Sequence, residues 1–122
     1  MTVQSLERTF ADKVFAICDY YMEGKVKRHS RHIYDLYMLL PKIILDDAYR
    51  ELVAEIRNHR ARMSIYPSAQ PGVDVSELLK EIITKEIYRA DYKEITTYFQ
   101  NHPLEYEKAI SAIRTIAESG IF

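Results

Sequence analysis

Lys13 lies between Phe10 and Ile17 in the segment LERTFADKVFAICDYYM. At about 100° per residue, Leu6, Phe10, Val14, Ile17 and Tyr21 gather on one face of a helix, and Lys13 projects into that same face. Taking an ammonium out of water costs free energy or shifts its pKa, so a lysine among apolar residues needs a reason to be there. Either its stem lies along the core with the head in water, or it meets an anion. The next helical segment, RHIYDLYMLL, carries Ile33, Leu36, Tyr37 and Leu40 on one side. Arg31 and Asp35 share another, flanked by Met38 and Leu39. Read by itself, the second pair is an i, i+4 ion pair worth about a few tenths of a kcal/mol. Gly24 marks a short turn between the segments, which favours an antiparallel pair and lets the Lys13 ammonium approach the Asp35 carboxylate.

The other charged residues admit two readings. Lys25, Lys27, Arg28 and His29 are either a solvated interhelical turn or a local nucleic-acid patch. The formal net charge of -1 gives no global field for a polyanion, so any such binding must be local. Arg57, Arg60 and Arg62 close a third helix, where cations suit the dipole, and they are the other nucleic-acid candidates. His29 and His32 are three apart, but one precedes the helix and no third ligand is near, which argues against zinc and leaves no metal site in the sequence. The single cysteine, Cys18, cannot form an internal disulfide and reads as a small apolar residue, which suits a reducing cytoplasm. The first residues, MTVQSLERTF, hold no apolar leader, and no window approaches the roughly 18 apolar residues of a membrane span. The expectation is a soluble cytoplasmic protein with no membrane contact.

The elements that must position these residues are helices. With 122 residues, 48% hydrophobic and 29% charged, the chain can bury a core and is expected to form a single domain over residues 1–122. Glycine and proline fall where the helical period breaks. Ser5 is placed to cap a helix from Leu6 to Met22, and Ser30 another from Arg31 to Leu40, which Pro41 stops. A third runs from Asp46 to Met63 with Tyr49, Leu52, Val53 and Ile56 on one stripe. The segment SIYPSAQPGVD reads as a loop without regular structure and as a possible subdomain joint near 64–74. Asp74 then caps a helix bearing Leu78, Leu79, Ile82, Ile83 and Ile87. Asp91 caps another through Phe99, and Pro103 opens a last one with Ile110, Ile113 and Ile116. The fold class is therefore all-α, a bundle of about five or six helices.

The run SLERTFADKVFAICDYYMEGKVKRHSRHIYDLYMLL resembles the C-terminal half of the AbiEii/AbiGii family of nucleotidyltransferase toxins, in which a Thr-Phe-x-x-Lys helix precedes an Arg-x-x-x-Asp helix. SAQPG and ADYKEITTYF resemble the family more weakly. The resemblance implies the helical C-terminal part of a polymerase β-like nucleotidyltransferase, which passes NMP from an NTP to an RNA, tRNA-like, acceptor. It implies that Lys13 holds nucleotide phosphate, that Arg31 stands beside it as a nucleotide-binding residue, and that Asp35 helps organise the catalytic site. It also implies magnesium and NTP for the complete enzyme, and an antitoxin partner. The family's Gly-Ser turn and Asp-x-Asp carboxylates are absent from these 122 residues, so the expectation is a chain inactive on its own. It would act with a separate N-terminal half, or be a non-enzymatic module that binds protein or RNA. If that half covers the Lys13 face, then Phe10 and Val14 are expected to be exposed here and to drive homo-oligomer formation.

Overall fold

A computed structural model describes residues 6–25, 27, 29–63, 65–96 and 105–122, the side chains of 95 and 96 aside. The described residues include six α-helices: α1 Leu6–Met22, α2 Arg31–Leu39, α3 Asp47–Ala61, α4 Val75–Lys85, α5 Arg89–Thr96 and α6 Tyr106–Glu118. No strand occurs among them, so the molecule is an all-α bundle. The β-branched run in EIITKEIY is helical through Lys85, because Leu79 and Ile82 face the core at helical spacing and tertiary packing overrides a weak strand propensity.

Helix α1 is the spine. Phe10, Ala11, Val14, Phe15, Ile17 and Cys18 are fully buried, and α2, α3 and α4 all pack against it. Its face is thus covered within the chain, and the expected exposure of Phe10 and Val14 is not found, since both are 0% exposed. On the other side, α6 packs on α2 and α4 through Ile110, Ile113 and Ile116, all buried. The α1–α2 turn is built as expected. Gly24 takes φ 73°, and its N–H donates to Tyr21 O while that of Lys25 donates to Tyr20 O. These are the two closing bonds of a Schellman end, which needs a left-handed residue.

Several boundaries depart from the sequence reading. Ser30 precedes α2 but makes no side-chain cap; a carboxylate on α5 takes its hydroxyl instead. Pro41 ends the α-helix, yet the chain continues through a 3-10 turn at Leu40–Lys42, because proline's fixed φ suits a first turn. The segment read as irregular contains a second 3-10 turn at Pro67–Ala69, with Ser68 buried. Asp74 does cap α4, accepting from Glu77 N. That helix stops at the left-handed Glu86, so Ile87 lies beyond it. Asp91 is inside α5 rather than its cap, and Glu105 occupies the cap position of α6. Ser5, Phe99 and Pro103 lie outside the described residues.

Candidate functional site

Helices α1 and α2 pack on each other, and Val14, Ile17, Ile33 and Leu36 are each buried. At the rim of that contact the Lys13 ammonium donates to Asp35 Oδ2 at 3.2 Å. Both side chains are 29% exposed. The two possibilities for Lys13 are therefore combined in one geometry, a stem along the core and a head that has found an anion while keeping access to water. Arg31, at the start of α2, is exposed. The pair uses one of the three donors an ammonium carries. A half-solvated pair at this distance binds weakly, so a stronger anion such as a phosphate can compete for the lysine.

One turn back from Asp35, His32 lies within electrostatic reach of both Lys13 and Asp35. Burial first, and then the Lys13 ammonium, pull its pKa from 6.5 down to about 4. The imidazole is therefore neutral beside the lysine, and its Nδ1 is buried without a partner among the described residues. Its ring lies over Tyr20, 5.6 Å between centroids at 18°, and His29 stacks on the same tyrosine at 3.7 Å and 15°. The sequence raised these histidines as metal ligands, and His29 also as part of the basic turn, and it missed the stack. The signal for it is weak: Tyr20 is one turn before the glycine that follows its helix, and the histidines flank the start of the next.

Magnesium does not fit the pair. Asp35 already faces an ammonium, and no group of three or more His, Cys, Asp or Glu side chains converges among the described residues. Magnesium is held through one or two carboxylates together with waters and substrate phosphates, and the carboxylate here is engaged by a cation.

Among the described residues, the remaining candidates do not converge on Lys13. Lys25 and Lys27 are exposed in the turn, Lys25 lying 3.7 Å from Glu23; Arg28 falls outside the described residues. Arg57 donates to the Phe122 carbonyl and lies over the Phe15 ring. Arg60, only 12% exposed, is held by Asp12 at 3.3 Å and Asp19 at 2.9 Å, and it sits over the rings of Phe15 and Tyr66. A nucleic-acid phosphate reaching Arg60 would have to displace two carboxylates.

Asp19 was not singled out by sequence. It is 6% exposed, and its Oδ1 accepts both the N–H and the hydroxyl of Ser68, at 2.8 and 2.6 Å. With Arg60 on Oδ2, the carboxylate ties the 3-10 turn at Pro67–Ala69 and the end of α3 to α1.

The sequence model of the family described as "Nucleotidyl transferase AbiEii toxin, Type IV TA system" matches residues 1–117, nearly the whole chain. No curated protein matches, and no solved structure does.

Proposed function

We propose a role for this chain from one premise: it belongs to the AbiEii family of nucleotidyl transferase toxins. In this reading Lys13 and Asp35 form the part of a nucleotidyl-transfer site that these helices contribute. The Lys13 ammonium holds a phosphate of the NTP. Asp35 keeps that ammonium aimed before the nucleotide arrives, and Arg31 adds positive charge beside it. An acceptor RNA hydroxyl attacks the α-phosphorus, the bond to the bridging oxygen of pyrophosphate breaks, and NMP is left on the RNA. Such a reaction depends mainly on positioning and charge neutralisation, and a half-buried lysine with a weak internal counter-ion suits both.

The observation that carries this reading is the 3.2 Å contact across the α1–α2 interface in a chain of this family. The carboxylates that hold magnesium, and the Gly-Ser turn for the phosphates, come in this reading from a polypeptide segment outside these 122 residues. The chain alone then transfers nothing. The test incubates it with each labelled NTP, magnesium and total RNA, with and without a family segment bearing those motifs. Labelling only in the mixture, lost with Lys13→Ala, supports the reading. Undiminished labelling with that variant overturns it, and labelling by the pure chain overturns the assignment of the missing motifs.

A second reading, a helical module that binds an antitoxin or another protein, is favoured by Met38 and Ile44, which are 51% and 75% exposed. Apolar surface of this kind marks contact sites when it is contiguous. Lys25 and Lys27 similarly support a contact with RNA.

A further inference from the structure

The helix that carries Asp35 is not held by its own cap. Ser30 is 0% exposed, and Asp91 Oδ2 accepts both its hydroxyl, at 2.6 Å, and its N–H, at 3.2 Å. The carboxylate thus occupies the N-terminal end of α2, where the helix dipole favours negative charge. Asp91 is itself on a fixed support. Tyr88, three residues before it, and Tyr92, the next residue, are 0% and 1% exposed. The Tyr88 hydroxyl donates to Ile17 O on α1, and Tyr92 meets Tyr106 of α6 edge-on. Arg89 joins Glu107 of α6 at 2.6 Å. From Ser30, α2 runs little more than one turn to Asp35, and the single 3.2 Å contact with Lys13 has no second bond to absorb a shift of the helix.

We propose that Asp91 is a positioning residue for the Lys13–Asp35 pair: by holding both polar groups of Ser30 it fixes the start of α2 and hence the reach of Asp35. The inference rests on the functional reading of that pair, and it assigns α5 a task in the site without placing it in contact with substrate. Misplacing an oriented group by about 1 Å can cost about a hundredfold in rate.

The test compares Asp91→Ala, Asp91→Asn and Ser30→Ala with Lys13→Ala and Asp35→Ala. The first readout is the NMR signal of the Lys13 ammonium in the isolated chain, assigned by its loss in Lys13→Ala and by its change in Asp35→Ala. The second is nucleotidyl transfer in the mixture described above. Asp91→Ala is expected to move the ammonium signal toward that of Asp35→Ala and to lower transfer by up to about a hundredfold. Asp91→Asn keeps an acceptor oxygen and should recover most of both. If Asp91→Ala does not fold, Ser30→Ala, which removes only the hydroxyl, should produce the same changes at smaller size. An unmoved ammonium signal in folded Asp91→Ala or Ser30→Ala overturns the proposal. A moved signal with transfer indifferent to Lys13→Ala upholds the latch and removes the functional reading of the pair, so the two failures are distinguishable.

Discussion

Two ion pairs on α1 show what burial does to the same chemistry. Lys13 and Asp35 share one 3.2 Å bond with 29% of each side chain in solvent. Arg60 and Asp19 are 12% and 8% exposed, and they are enclosed by Asp12, Ser68, Phe15 and Tyr66. In the second set the Asp19 carboxylate is well satisfied, its oxygens taking three hydrogen bonds from Ser68 and Arg60, although Arg60 Nε is buried without a partner among the described residues. A buried charge needs that full set, because losing any member leaves the rest uncompensated. The Lys13 pair has donors and accessible surface to spare, so its lysine can be given up to an incoming anion at small cost. Spare capacity, rather than the presence of charge, separates a candidate site from a brace.

The comparison breaks most visibly at the brace. Asp19→Ala or Arg60→Ala should lower unfolding free energy by about 3–5 kcal/mol, the cost of stranding a buried charge. Chemical denaturation measures it, and a change below about 1 kcal/mol would place the network among weak surface pairs. Ser68→Ala removes a hydroxyl donor to a charged acceptor and should cost about 1.5–3 kcal/mol.

Acid tests the wall beside the pair. His32 has a native pKa near 4 against 6.5 when free. Between those values the unfolded chain holds a proton that the native chain refuses, so stability falls as pH drops from about 6.5 and the loss levels off below about 4. Discounted for partial solvation of the ring, the loss is on the order of 2 kcal/mol. His32→Phe keeps a ring over Tyr20 and should flatten that part of the stability–pH curve. Unchanged curvature would mean that another group titrates there.

The smallest expected effect on stability belongs to the candidate site. Lys13→Ala and Asp35→Ala should each change unfolding free energy by less than about 1 kcal/mol, and less again at high salt.

A 3.6-residue period and a glycine turn made the helices legible and the Lys13–Asp35 approach feasible; the expectation that the two meet came from the family resemblance. The stripe of Phe10, Val14 and Ile17 needs nothing beyond local spacing. Asp19, Ser68 and Asp91 were illegible as partners for the opposite reason. Asp19 reaches Ser68 across 49 residues and Asp91 reaches Ser30 across 61, and no local rule pairs a carboxylate with a distant serine. Ser30 and Asp91 each looked like a cap of its own helix, since a cap is the commonest local use of those residues. The tertiary bond between them displaced both local ones. Arg60 looked like a dipole cation at a helix end, and it does lie in the last turn of α3, but its energetics come from Asp12 and Asp19.

The central claim is that Lys13 serves nucleotide transfer and not stability. It is tested most directly by following labelled NMP transfer to RNA in the mixture of this chain with a segment bearing the Gly-Ser and Asp-x-Asp motifs, with the unfolding midpoint of each variant measured in parallel. Lys13→Ala is expected to abolish labelling while its midpoint stays close to that of the unmodified chain. Full labelling by Lys13→Ala, or a loss of labelling matched by a loss of folded protein, would contradict the claim.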